Sequence, residues 1–153
     1  MDRRTAKKVG WLTDEDYDFV YSRVPRFCVD LVVKNKKGEI LYSLRKIEPY
    51  KGMWHLPGGR VNFRESMEKA VQRISLSELG LRVVSRKAVG YIEFFRERQQ
   101  AHKRHSISLV FLVESKEGTE TDFEQRQELK YFSKTPLNVH PVHAKFIKEN
   151  RLA

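Results

Sequence analysis

The chain has 153 residues, 40% of them apolar and 11% aromatic, which suits one folded domain spanning residues 1–153 and excludes a disordered chain. No run of about 18 apolar residues occurs, so a membrane-spanning helix is not expected. The formal charge of +10 draws anions, whether nucleic acid, an acidic membrane surface or phosphate-bearing small molecules.

The opening MDRRTAKKVG is basic but leads into no apolar segment, so export is not expected. Cys28, the only cysteine, lies in the apolar run FCVDLVV and reads as a small buried hydrophobe. With no partner for an internal disulfide, the expected setting is a reducing cytoplasm. A first helix starts in LTDEDYDFVYSRV, with Thr13 as N-cap, Asp16 three residues on and acids in the first turn. RFCVDLVVKN reads as a buried strand, KKGE as a turn at Gly38, and EILYSLRK as the second strand of a hairpin. A loop with Pro49 and Gly52 leads to a short strand, MWHL.

A second helix follows the Pro-Gly-Gly-Arg turn. Asn62 as N-cap and Glu65 three residues on form a capping-box pattern, Met67, Ala70, Val71 and Ile74 form an apolar stripe, and Gly80 closes the helix. LRVVSRKAVGYIEFF, HSISLVFLVES and LKYFS are strand-like, and PVHAKFIKENR opens a last helix with Pro141 in its first turn. Between two of the strands, Arg96 to Arg104 reads as a long basic loop. It lacks interleaved aromatics for base stacking, so nucleic acid is not the expected partner. Helices before, within and after a largely hairpin-built sheet predict an α/β sandwich around a mixed sheet.

Glu78 stands out on the second helix. It lies eleven residues after Met67, about 1100° of rotation, which returns it to within about 20° of Met67 on the apolar side. A carboxylate there loses hydration, and the last helical turn disfavours its charge by about 0.3–1 kcal/mol. Two readings fit: a structural pairing with an arginine or a frayed, wet end, or a ligand for a hard cation. The turn upstream favours the second. Gly58 and Gly59 let the backbone approach a ligand, a free carbonyl there is a hard-metal donor, and Arg45 and Arg60 suit phosphate oxygens. Together they suggest magnesium bridging a diphosphate.

The stretch resembles the Nudix box, G-x5-E-x7-R-E-U-x-E-E-x-G-U with U a bulky apolar residue. Gly59, Glu65, Arg73, Glu78, Gly80 and Leu81 fall on the pattern at the right spacing. The resemblance implies an α/β/α sandwich around a mixed sheet and metal-dependent hydrolysis of a nucleoside diphosphate linked to a group X. Two motif glutamates are Ile74 and Ser77 here. The GDP-mannose mannosyl hydrolases lack them in the same way, and their likeness extends to Asp30, Arg45, the run from Gly52 to Arg60, Glu124–Gln125 and Asn138–His140. In that subgroup water attacks the anomeric carbon of the sugar, and dimerisation is common. The resemblance implies one Mg²⁺ (or Mn²⁺) held by the Gly58 carbonyl, Glu78 and Gln125. It implies Arg45 and Arg60 on the leaving diphosphate and Asp30 at the sugar, with a nucleoside diphosphate sugar as the partner.

Arg126 occupies the subgroup's general-base position, where the relatives keep histidine, and arginine cannot accept a proton from water. His102, His105 and Glu93 are candidate replacements, although each also suits an ordinary surface or strand position. His55 reads as packed in its strand, and His140 and His143 lie at the last helix. A pyrophosphohydrolase attacking phosphorus with help from Glu124 or Glu128, and a binding module without turnover, stand as alternatives.

Overall fold

The computed structural model describes residues 12–46, 50–95, 105–115 and 128–153. The first helix forms where the acids and cap predict it. Thr13 Oγ1 accepts the Asp16 amide at 3.1 Å, and three acids fill the first turn of α1 (Asp14–Tyr21). None of its residues is buried.

β1 (Arg26–Lys34) is the centre of the sheet. One of its edges runs parallel to β6 (Ser106–Ser115) from Arg26↔Ser106 to Lys34↔Glu114. β6 in turn pairs antiparallel with β5 (Val83–Phe94), whose register shifts twice. The other edge of β1 is divided. β2 (Ile40–Leu44) meets it at Lys34↔Ile40, and β4 (Gly58–Arg60) takes positions 28–30. The expected hairpin is thus confined to its turn, where Gly38 has φ +77°. β2 makes its five-residue ladder with β7 (Glu128–Phe132) and also pairs β3 (Trp54–His55). The sheet is mixed, as expected.

Alternation along β1 assigns the two faces. Val29, Leu31 and Val33 join Ala70, Val71 and Ile74 of α2 (Met67–Leu79) in one core. Val32 joins Tyr42, Trp54 and Val110 under Phe146 and Ile147 of α3 (Pro141–Glu149) in the other. Helices therefore cover both faces of the sheet. Asp30 faces the α3 side with Val32, and it is the buried carboxylate of that strand.

Two local expectations are corrected. The N-cap of α2 is Ser66, whose Oγ accepts the Lys69 amide at 3.2 Å, and not Asn62. Glu65 still reaches back to the Asn62 amide at 2.9 Å, so half of the capping box forms one turn early and shapes the approach to the helix. Gly-Gly-Arg, read as a turn, is strand β4. Glycine carries no strand signal, and only the vacant edge of β1 explains the pairing. Gly80 does end α2 in the left-handed region, at φ +63°. Among the described residues no helix is long and apolar enough to cross a membrane.

Candidate active site

A cavity of about 670 Å³ opens where β1 and β4 meet the last turn of α2, the end of β2 and the start of α3. Its geometry starts with the β1–β4 ladder. The Leu31 amide donates to the Pro57 carbonyl at 2.8 Å and the Val61 amide to the Phe27 carbonyl at 3.0 Å. In an antiparallel ladder the pairs between such bonds alternate, which makes Asp30↔Gly58 and Cys28↔Arg60 non-hydrogen-bonded pairs. Two consequences follow. The chains approach most closely there, and a Cβ on Gly58 would run into Asp30 Oδ1 and come within 2.5 Å of the Val29 carbonyl. The Gly58 and Arg60 carbonyls also point away from β1, out of the ladder.

Arg73 of α2 reads that outer edge. Its Nη2 donates to the Arg60 carbonyl at 2.8 Å. The same guanidinium grips Glu65 through Nε to Oε1 at 2.6 Å and Nη2 to Oε2 at 2.8 Å. Arg73 holds the Glu65 carboxyl below its usual range, and Glu65 raises Arg73 in return. Glu65 and Arg73 therefore clamp α2 to β4 without lining the cavity, and the Glu78 charge also raises Arg73.

Glu78 borders the cavity but is exposed, which corrects the expected burial. Its direction is the expected one, since on a helical wheel it falls within the arc of Ala70, Val71, Ile74, Ser75 and Leu79, all buried. What differs is the surface opposite, because the last turn overhangs the cavity instead of the core. Its carboxylate has no hydrogen bond or ion pair among the described residues. One turn earlier, Ile74 is 1% exposed and lies under Gly59, 3.4 Å from where a Cβ would stand. Ser77 is exposed, and Ser75 is buried in the apolar layer without a hydrogen-bond partner among the described residues. α2 thus contributes one carboxylate to the cavity.

Arg45 and Arg60 border the same space. The Arg60 guanidinium sits 5.0 Å from the Tyr17 ring and 5.6 Å from the Tyr21 ring, which ties α1 to the cavity rim. Arg45 Nε and Arg60 Nη1 are both buried without a partner among the described residues. Unsatisfied buried guanidinium groups are costly, and phosphate oxygens satisfy them bidentately.

The third wall carries histidines. The Trp54 amide donates to the Asn138 carbonyl at 2.9 Å and the His140 amide to the Trp54 carbonyl at 2.7 Å, which seats the start of α3 beside β3. His140 caps that helix, and its Nδ1 accepts the Val142 amide at 3.3 Å. His143 Nδ1 accepts the Leu56 amide at 3.1 Å, and its Nε2 faces Asp30 Oδ2 at 3.3 Å. Burial lowers His55 to about 4, with His143 and Arg45 adding to the effect. Burial also lowers His140 to about 4, with His143 adding.

The structure therefore brings together Asp30, Arg45, Gly58, Arg60 and Glu78 from the predicted set. Gln125, Arg126, Glu124 and His102 lie outside the described residues. Glu128 begins β7, exposed and away from the cavity lining. Glu93 borders the cavity, and His105 stacks on Phe95 with centroids 4.9 Å apart. Cys28 is half-buried and borders the cavity, a correction to its reading as a core hydrophobe. His143 and His55 were placed by sequence reasoning in their helix and strand without a part in the site. The spacing of His140 and His143 was a usable signal, because residues three apart share a helix face.

The described donors fit one hard cation: an exposed carboxylate at Glu78 and a carbonyl at Gly58 directed out of the ladder. Among the described residues no three His, Cys, Asp or Glu gather as a metal site.

Comparison with known proteins bears on the fold and the family. The chain is 27% identical over 139 residues to the low-salt glycan biosynthesis protein Agl8 of Haloferax volcanii, covering 89% of this chain and 88% of that protein. It is 31% identical over 129 residues to an ADP-ribose pyrophosphatase of Methanocaldococcus jannaschii, covering 82% and 72%. Among solved structures, the MutT NUDIX hydrolase of Burkholderia pseudomallei superposes with a TM-score of 0.67 at 24% identity, covering 82% of this chain and 98% of that one. The NUDIX domain of Shewanella oneidensis NrtR, complexed with ADP ribose, gives 0.58 at 17% identity, covering 92% and 97%. The NUDIX domain family matches residues 24–149, and the chain belongs to that family.

Proposed function

We propose that this protein is a divalent-metal-dependent hydrolase of nucleoside diphosphate sugars that releases the sugar and the nucleoside diphosphate. The observation that carries this reading is the single carboxylate that α2 gives to the cavity. Ile74 is packed beneath Gly59 and Ser77 carries no charge, so α2 lacks a second and third acid for metals that activate water at phosphorus. Attack at the anomeric carbon places a different demand on the protein. The bond between C1 and the phosphate oxygen breaks, the diphosphate keeps the electron pair, and a water oxygen bonds to C1 and gives up a proton. Arg45 and Arg60, with unsatisfied N–H groups in the cavity, suit the charge that grows on the leaving group. A bound Mg²⁺ at Glu78 and the Gly58 carbonyl, with Gln125, would neutralise the same charge. Arg126 cannot take the proton from water, and Glu93, a carboxylate that borders the cavity, is the described group that would accept it.

The 31% identity to an ADP-ribose pyrophosphatase favours a second reading, attack on phosphorus of a nucleoside diphosphate-X substrate. Hydrolysis of GDP-mannose and ADP-ribose in ¹⁸O-labelled water with Mg²⁺ separates the two. Label in the free sugar is expected, and label in a phosphate product sinks the proposal. Binding of every substrate without any product would point instead to a recognition module.

A further inference from the structure

We infer that α1 is a working part of the active site: Tyr17 and Tyr21 are positioning residues that hold the Arg60 guanidinium by its face and leave its N–H edge open to a diphosphate. This rests on the reading of the cavity as a diphosphate site, and it applies whichever bond of the substrate breaks.

Core burial does not hold α1 in place. None of its eight residues is buried, and the helix lies outside residues 24–149, the part of the chain that the family matches. Tyr17, Val20 and Tyr21 are half-buried and three and four residues apart, so they mark one helix face. That face meets arginines. Tyr17 Oη accepts from Arg26 Nη1 at 2.8 Å. Arg26 is fixed in turn, because its Nε and Nη2 donate to Ser106 Oγ at 2.9 and 2.7 Å, and Ser106 is buried. The Tyr17 ring packs edge-on to Tyr21, with centroids 4.7 Å apart. Arg60 Cζ lies over both rings, at 5.0 and 5.6 Å. A line of contacts therefore runs from β6 through β1 and α1 to the arginine of β4 that borders the cavity.

How an arginine is held decides what it can still bind. Arg73 is held by its edge: Nε and Nη2 are occupied by Glu65 and the Arg60 carbonyl. A carboxylate in place of the tyrosines would hold Arg60 in the same way and compete with phosphate oxygens. An aromatic ring instead attracts the cation through its quadrupole and leaves the in-plane N–H groups to other acceptors. Arg60 Nη1 is buried without a partner among the described residues, as this arrangement requires. The rings also restrict a long side chain before the ligand arrives, which removes part of the ordering loss on binding.

The test is titration calorimetry with ADP, GDP and UDP in the presence of Mg²⁺, followed by a double-mutant cycle on the nucleoside diphosphate that the wild type binds most tightly. Tyr17→Leu should weaken that ligand by about 2- to 30-fold, the range of a cation–π contact. Tyr17→Phe keeps the ring and loses the Arg26 hydrogen bond, and should bind more tightly than Tyr17→Leu. In an Arg60→Met background the leucine substitution should change affinity by less than about twofold, since the group it positions is gone. Tyr21→Leu, whose ring lies further from the cation, should show the same coupling at a smaller size, and it supplies a second cycle if Tyr17→Leu does not fold. An equal loss in both backgrounds would mean that the tyrosine acts on the ligand directly or through the fold, and would overturn the inference. Unchanged affinity in Tyr17→Leu, or a Tyr17→Phe protein as weak as Tyr17→Leu, would overturn it as well. No Mg²⁺-dependent binding of any nucleoside diphosphate to the wild type would overturn the diphosphate reading of the cavity and this inference with it, whereas binding without coupling overturns this inference alone.

Discussion

Gly58→Ala should damage both the fold and the site, while Gly59→Ala one residue away should be nearly silent. Neither glycine has a positive φ, so backbone conformation is no obstacle to alanine at either position. The difference is steric. At Gly58 the added methyl would meet Asp30 Oδ1, come within 2.5 Å of the Val29 carbonyl and lie 3.2 Å from the Asp30 Cα. Two of these are backbone atoms of β1, which β6 holds along its full length. The strand cannot yield cheaply, and overpacking of this kind costs about 1–3 kcal/mol. At about 2–4 °C per kcal/mol, Tm should fall by about 2–12 °C. The carboxylate would also be pushed off its hydrogen bond with His143, so turnover should fall further than folding alone explains. At Gly59 the nearest atom is Ile74 Cγ1 at 3.4 Å, ordinary contact, and the reduced freedom of the unfolded chain offsets it by about 0.4–1 kcal/mol. Thermal unfolding by circular dichroism, paired with a sugar-release assay, reads both effects. A Gly58→Ala protein melting within about 1 °C of the wild type with full turnover would refute the close approach of β4 to β1.

Glu78→Gln should leave stability within about 0.5 kcal/mol, because the side chain is exposed and unpaired, yet weaken Mg²⁺-dependent turnover by about 100-fold or more; full activity at low magnesium would exclude Glu78 as a ligand. Arg73→Ala removes the clamp on Glu65 and the Arg60 carbonyl, and should cost about 1.5–3 kcal/mol in urea unfolding. Arg73→Lys should recover only part of this, since a lysine lacks the planar fork, and complete recovery would show the bidentate geometry to be dispensable. Stability should fall with acid through the histidine window. His55 stays unprotonated in the fold down to about pH 4, whereas in the unfolded chain it binds a proton below about 6.5. The folded state therefore loses stability as pH drops from 6.5 towards 4, by at most about 3 kcal/mol for this residue. A urea midpoint unchanged between pH 7.5 and 5, or the same pH dependence in His55→Gln, would contradict it.

The helices, the main strands and the family motif were legible in the sequence because they rest on local rules. Thr13 caps its helix through a contact three residues away, Gly80 ends α2 because its φ must be positive, and the Glu65-to-Arg73 spacing closes an ion pair across one turn and one helix. The angular position of Glu78 was equally local, fixed by helical rotation alone. What lay opposite was not. Whether an inward-pointing carboxylate meets core or water depends on where β4 ends and the cavity begins, and that depends on an edge of β1 shared between two strands. No residue within β4 announces a strand. The pairing exists because β6 occupies the other edge, and Gly58 fits because Asp30 stands opposite. Only the tertiary structure could join Asp30 to His143, 113 residues apart, and bind the Leu56 amide to the same ring. The sequence by itself determined which residues could carry the chemistry and which helix face they occupied. The folded sheet decided which of them share one cavity, because burial and charge depend on neighbours that sequence separation does not reveal.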